Sequence, residues 1–192
     1  MAKGAYIGVN NVAKKIKGGY VGVGGVAKKI KKAYIGVGGV ARPCWSGGEL
    51  AYYGTAKSLS EARYDLAATS VGKYALFGGG GNGYYSSNML NAVDAYDSSL
   101  IISTPTALST GRDCLAATSV GDYALFGGGC YDLSTYIDVV DAYNSSLVRS
   151  TPTALSKSRM ELAATSVGDY ALFGGGKSSS STSNVVDAYT VA

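Results

Sequence analysis

Three arginines (Arg63, Arg112 and Arg159) and three aspartates (Asp94, Asp141 and Asp187) recur along the sequence at matching intervals. Such residues can pair with one another through charge-assisted hydrogen bonds. Displayed on a surface, the arginines can instead grip an acidic ligand and the aspartates a cation. Both readings stand at this level. The 192 residues contain no His. That excludes Ser-His-Asp and Cys-His catalysis, an HExxH metal site and an imidazole pH switch. The cysteines Cys44, Cys114 and Cys130 form no CxxC pair, so their spacing gives no thiolate zinc site. Glycine runs at Gly78–Gly81 and Gly127–Gly129 lack the GxxxxGK[ST] pattern and lead into a strand, not a helix, so they read as backbone-packing positions and not as a phosphate loop. Asp65 and Glu161 occupy one repeated position, but Cys114 interrupts the set. No unique pair of acids stands out for glycoside hydrolysis. No enzymatic activity, cofactor or metal is expected.

The segments that differ between repeats are more informative. Gly81–Ala92, Cys130–Asp138 and Lys177–Asn184 are rich in Tyr, Ser, Gly and Asn. That is the composition of adaptable binding surfaces, because Tyr gives large contact area at low entropy cost. Tyr84, Tyr85, Tyr131 and Tyr136, with the three arginines, form the candidate ligand-binding set.

Two repeat systems must position these residues. LAATSVGKYALFGGG starts at Leu66, and LAATSVGDYALFGGG returns at Leu115 and Leu162, a period of 47–49 residues. Each copy continues through a variable loop to Val-Asp-Ala-Tyr at 93–96, 140–143 and 186–189, and the first two reach STPTALS at 103–109 and 150–156. The unit reads as four strands, A to D. Before it, three 14-residue units occupy Lys3–Ile16, Lys17–Ile30 and Lys31–Cys44, each with β-prone runs around Asn-Asn or Gly-Gly. Those dipeptides suit two-residue hairpins, and the predicted register pairs Val9 with Val12, Ile7 with Lys14 and Ala5 with Ile16. Together the units predict a six-strand meander. The expected fold class is therefore all-β. Residues 1–44 form a basic hairpin segment, 45–50 a linker and 51–192 a three-unit repeat segment.

Charge follows the same division. The first 44 residues carry +9 and no acid, and the remainder carries −5. Lys14, Lys15, Lys28, Lys29 and Trp45 are the candidate assembly-docking residues. Tyr6, Tyr20 and Tyr34 interleave with lysines, which makes single-stranded nucleic acid an alternative partner of this segment. The first ten residues lack the apolar core of a signal peptide. No run approaches the roughly 18 apolar residues of a membrane span. Cytoplasmic synthesis without a signal peptide or membrane insertion is expected.

The period, Phe77-Gly78-Gly79, Phe126-Gly127-Gly128 and Phe173-Gly174-Gly175, the tyrosines Tyr96, Tyr143 and Tyr189, and the arginines opening strand A together resemble kelch repeats over about residues 51–192. The usual kelch Trp after the tyrosine is replaced here by Leu100 and Leu147. The resemblance implies four-stranded blades of a β-propeller whose loops share one binding face. The near-identical copies preceded by GGVARPCW also resemble kelch-bearing tail or virion proteins of phages and prophages of Gram-positive bacteria.

The third copy stops at Val-Asp-Ala-Tyr-Thr-Val-Ala, without its strand D. Tyr52–Arg63 aligns on Val148–Arg159, so the first copy is preceded by a spare strand D. Three blades are too few for a ring, which needs roughly 4–8. A second copy of the chain would make a six-bladed ring. The expected function is that of a non-enzymatic structural and binding protein of a virion tail or capsid surface. Its hairpins would dock on other virion proteins, and its loops would bind a host-surface glycan or protein. An intracellular kelch scaffold, a glycan-active enzyme and a nucleic-acid binder are the alternatives.

Overall fold

In a computed structural model of the chain, the described residues are 6–9, 12–15, 20–23, 26–29, 32–37 and 40–46, as backbone strands, and 50–83, 88–132 and 134–191. Contacts divide the chain into two units, Met1–Gly54 and Thr55–Ala192. Among the described residues all regular structure is β, and every sheet is antiparallel.

In the first unit, β1 (Tyr6–Val9) pairs with β2 (Val12–Lys15), β3 (Tyr20–Val23) with β4 (Val26–Lys29), and β5 (Lys32–Val37) with β6 (Val40–Ser46). The register places Val9 opposite Val12 and Ile7 opposite Lys14, as the two-residue separation dictates. Val23 and Val26 repeat the arrangement. Ala5 and Ile16 lie outside the described residues. Among the described residues the expected continuous meander is not seen, and the strands make three separate two-stranded ladders. Each ladder closes through a two-residue connection at small loop entropy, whereas nothing equally local aligns one hairpin with the next. The third hairpin shifts register between Ala33 and Tyr34, with Ala33 opposite Trp45 and Tyr34 opposite Pro43. A bulge at this point accommodates a proline that has no N–H for the ladder. Strand β6 runs on to Ser46 and so includes Trp45 and Ser46.

The second unit repeats one sheet. β7 (Ala67–Val71), β8 (Tyr74–Gly78), β9 (Val93–Tyr96) and β10 (Ile102–Ser103) form the first. β11 (Ala116–Val120), β12 (Tyr123–Gly127), β13 (Val140–Asn144) and β14 (Arg149–Ser150) form the second. The third has β15 (Ala163–Val167), β16 (Tyr170–Gly174) and β17 (Val186–Tyr189), and no fourth strand among the described residues. The A and B phrases become β7–β8, β11–β12 and β15–β16, joined by two-residue turns with Val opposite Tyr at each end. Strand D is shorter than its phrase. It covers only two residues and ends before Thr-Pro, since proline contributes no ladder donor.

The sheets stack in series. One core joins Val71, Leu76, Val93 and Ala95 of the first sheet to Ala124, Phe126 and Tyr143 of the second. Another joins Val120, Leu125, Val140 and Ala142 of the second to Ala171 and Phe173 of the third. The contact is specific. A Cβ built on Gly78 would lie 2.9 Å from the Phe126 ring, and one on Gly127 would lie 2.8 Å from Phe173. Each phenylalanine therefore occupies space that only a glycine on the preceding sheet leaves free.

The two outer faces of the array lack this contact. Phe77, the first phenylalanine, borders an open groove of about 410 Å³ lined by Ala56, Leu59, Ala75, Phe77, Tyr96 and Leu100. At the other end, a Cβ on Gly174 would meet, among the described residues, only Val186, at 3.4 Å. Val167 is 62 % exposed where its counterpart Val120 is 8 %, and Val186 is 59 % exposed where Val140 is 1 %.

Phe126→Ala and Phe173→Ala should each destabilise the second unit by about 3–5 kcal/mol, through lost burial and an unfilled cavity. Urea unfolding of the two variants measures this; a loss below about 1 kcal/mol would remove the ring from the core.

Candidate functional site

The recurrent arginines and aspartates meet within each sheet. Arg63 Nη2 lies 2.7 Å from Asp94 Oδ2, Arg112 Nη2 2.8 Å from Asp141 Oδ2, and Arg159 Nη2 2.6 Å from Asp187 Oδ2. The same nitrogens donate to the carbonyls of Phe77, Phe126 and Phe173. The backbone N–H groups of Ser60, Ser109 and Ser156 donate to the same three aspartates. Each couple thus ties the segment before strand A to strands B and C. Arg149 adds a second contact to Asp141, at 3.0 Å. Burial pulls the Arg112 guanidinium below its ordinary value, and Asp141 works against that pull.

All three arginine side chains have 0 % exposure. Arg63, Arg112 and Arg159 therefore do not belong in the ligand-binding set: their guanidiniums lie inside the sheets, on carboxylates and carbonyls. Tyr96, Tyr143 and Tyr189 are also structural. Their hydroxyls donate to the carbonyls of Lys57, Thr106 and Thr153, and their rings pack edge-on against Phe77, Phe126 and Phe173 at 5.8–6.0 Å. Burial, then the neighbouring Asp187, pushes the Tyr189 phenol up to about 12.

A second repeated feature links sheet to sheet. Asp65, Cys114 and Glu161 all have left-handed backbone, with φ of 51°, 50° and 55°. Cys114 N–H donates to the Asp65 carbonyl at 3.0 Å, and Glu161 N–H to the Cys114 carbonyl at 2.9 Å. Alongside, Gly80 N–H donates to the Arg112 carbonyl and Gly129 N–H to the Arg159 carbonyl. The glycine runs are thus seam elements. A Cβ on Gly79 would lie 2.6 Å from the Arg112 carbonyl, and one on Gly128 2.7 Å from that of Arg159.

The variable loops all leave their sheets after strand B. Tyr131 is 56 % exposed. Tyr136 is half-buried, and its backbone bridges that of Cys130. Tyr84 and Tyr85 lie outside the described residues. Lys14 and Lys15 fall on β2, Lys28 and Lys29 on β4, and Trp45 on β6. The second loop has an internal brace. Asp132 Oδ1 accepts from the Ser134 and Thr135 N–H groups, and its carboxylate also accepts both hydroxyls. The Ser134 N–H, then the two hydroxyls, hold its carboxyl down at about 2.

Sequence spacing did not reveal one group. The Cys130 thiol donates to Asp113 Oδ1 at 2.9 Å, and ligand-type atoms of Asp113, Cys114 and Cys130 all lie within 4.8 Å of one another. The two cysteines are 16 residues apart, which no short metal motif covers. Strands β11 and β12 pair and bring them back together. Burial raises both thiols, Cys114 to about 12 and Cys130 further, with Asp113 contributing to each.

No protein-family model matches the chain, and no curated protein matches it. The functional reading therefore rests on the geometry.

The loop brace has a defined pH dependence. Asp132 titrates at about 2 when folded, against an ordinary 3.8. A carboxyl depressed in this way contributes its stabilisation above the ordinary value and loses it as pH falls through the folded value. The Tyr131–Thr135 turn should stay closed above about pH 4 and open between about pH 4 and 2. Chemical shifts of the Ser134 and Thr135 amides report the opening, and Asp132→Ala should show the open state at neutral pH.

Proposed function

We propose that the chain is a non-enzymatic structural and binding module, active as a ring of six kelch-type blades built from two copies. One observation supports this reading: among the described residues, the groups that meet at the internal seams are each left over once at an outer face. Phe77 is the projecting ring without a glycine opposite it, and Gly174 is the glycine without a ring. Asp65 N–H and the Glu161 carbonyl are the unmatched ends of the left-handed ladder among the described residues. Gly176 N–H and the Arg63 carbonyl are likewise the unmatched ends of the glycine–arginine series. Each leftover group is the counterpart of a group used at the two internal seams.

A second copy supplies all of these partners. The third sheet of one chain would receive Phe77 of the other, and the reciprocal contact would close the ring with two-fold symmetry. Tyr53 and Gly54 align with Arg149 and Ser150 of β14. They would add the missing fourth strand to β17 of the partner copy, leaving no open sheet edge. Covering Val167 and Val186 would contribute about 1.5–3 kcal/mol for each side chain fully buried.

The arginines and aspartates best suited to chemistry are engaged with each other, which supports a binding role over a catalytic one. The binding surface is the set of variable loops, with Tyr131 at its most exposed described point. A glycan or protein of a host surface fits its Tyr, Ser and Asn composition. The resemblance to phage and prophage tail proteins makes the setting a virion, with the +9 hairpin segment as the part that docks on the particle.

Gly174→Val separates this reading from a stable monomer. In one chain the side chain makes ordinary contact with the exposed Val186, but in a pair it blocks the seam. Overpacking costs about 1–3 kcal/mol at each of two seams, which weakens association roughly 30-fold to 25,000-fold. Native mass spectrometry and sedimentation should show a dimer for the unaltered chain, a monomer for the variant, and an unchanged fold by circular dichroism. A monomeric unaltered chain would overturn the ring. For the loop surface, Tyr131→Ser should weaken any glycan captured by the dimer on an array while leaving the dimer intact.

A further inference from the structure

The middle repeat departs from its neighbours at three positions that touch. Where the first repeat has Tyr64, Asp65 and Gly81, and the third has Met160, Glu161 and Lys177, the second has Asp113, Cys114 and Cys130. The phrases around them are almost identical in all three copies. Asp113 and Cys130 are ligating residue types where the neighbouring repeats have Tyr, Met, Gly and Lys, Cys114 puts a sulfur where they have a carboxylate, and the three meet at one point in space. Asp113 and Cys130 are fixed by reciprocal backbone hydrogen bonds of 3.1 and 3.0 Å. Both are buried, and Cys114 is half-exposed.

The charge balance of this group is incomplete. Among the described residues no Lys or Arg forms an ion pair with Asp113. Its side-chain hydrogen bond among the described residues comes from the Cys130 thiol, and a buried carboxylate without a charged partner is unfavourable. Lys177, which aligns with Cys130 in the third repeat, is bonded to Glu161 at 2.9 Å. A bound cation would complete the group, and the sulfurs select its type. Thiolates favour borderline-soft ions such as Zn²⁺ over Mg²⁺ or Ca²⁺. Tetrahedral zinc with bonds near 2.3 Å holds two sulfurs about 3.8 Å apart, inside the 4.8 Å span of the three ligand atoms.

We propose that Asp113 Oδ, Cys114 Sγ and Cys130 Sγ form a binding site for a borderline-soft divalent transition-metal ion, with zinc as the type. The ion replaces the two thiol protons, which leave to solvent, and no electrons are transferred. Three protein ligands leave a fourth position for water on the exposed side of Cys114. The site lies where the second sheet meets its neighbours, because Cys114 N–H and carbonyl bond to Asp65 and Glu161.

The test uses the full chain, reduced and stripped of metal, titrated with Co²⁺ and then Zn²⁺. The expected result is one Co²⁺ per chain with intense sulfur-to-cobalt absorption in the near ultraviolet, displaced by Zn²⁺. Cys130→Gly carries the residue of the first repeat, and Cys114→Asn is the uncharged counterpart of Asp65 and tolerates the left-handed backbone at this position, so the fold should accept both. Each should weaken Zn²⁺ binding by more than about 100-fold, beyond what outer-shell partners usually account for. Cys44→Ser should change nothing. The proposal is overturned if the unaltered chain gives no thiolate–cobalt band, if the band survives Cys130→Gly, or if it disappears with Cys44→Ser. Should either variant lose its circular dichroism, Asp113→Asn keeps the shape and removes the charge. It should retain the thiolate band and lose at least about tenfold in affinity; unchanged affinity would overturn the three-ligand site.

Discussion

The contact between a phenylalanine ring and a bare glycine on the preceding sheet sets the geometry of the second unit. A Cβ at Gly78 or Gly127 would approach the facing ring closer than 3 Å, so the sheets can approach as they do only if one surface has no side chain at that point. The seam then fixes the rest. It sets the sheet spacing that lets Cys114 reach the Asp65 carbonyl and Gly80 the Arg112 carbonyl. It also buries Val120 and Val140 while leaving their equivalents Val167 and Val186 open.

The arginine–aspartate couples play a different part. A buried ion pair is weak evidence of net stability, because desolvation offsets much of the attraction. Its value here is positional. One guanidinium nitrogen reaches both an aspartate of strand C and the carbonyl of the phenylalanine that ends in the neighbouring glycine hole. The polar couple therefore aims the apolar knob. Breaking it would leave a buried charge without its partner and a ring without its support.

Much of this fold was legible in the sequence. The strands of LAATSVG, YALFGGG and VDAY follow from β-prone phrases bounded by glycine and from their recurrence. The register of the N-terminal hairpins follows from a two-residue separation. What failed involved relations that sequence does not encode locally. Pairing between hairpins has no short-range determinant, so the meander was an extrapolation. The arginines had two consistent readings, and only their depth decides between them. Asp113 is not legible on its own, because one aspartate beside a cysteine has no motif. Its signal was the comparison across repeats, where Tyr64 and Met160 stand in its place. The brace on Asp132 was hidden among ordinary loop residues for the same reason.

The glycine–phenylalanine seam also has a consequence for how such a chain can change over generations. Each sheet recognises its neighbour through surfaces that every copy presents in the same form. A copy can therefore be inserted, deleted or exchanged as a block without redesigning an interface, as in other repeat arrays. Point changes at the phenylalanine–glycine contact meet a close-packed ring and a charged couple at once and are costly. Changes in the loops beyond strand B meet neither. The architecture directs inherited variation to the surface that a partner would read, and the middle copy, with two cysteines and an aspartate at its seam, shows that such a block can also diverge from within.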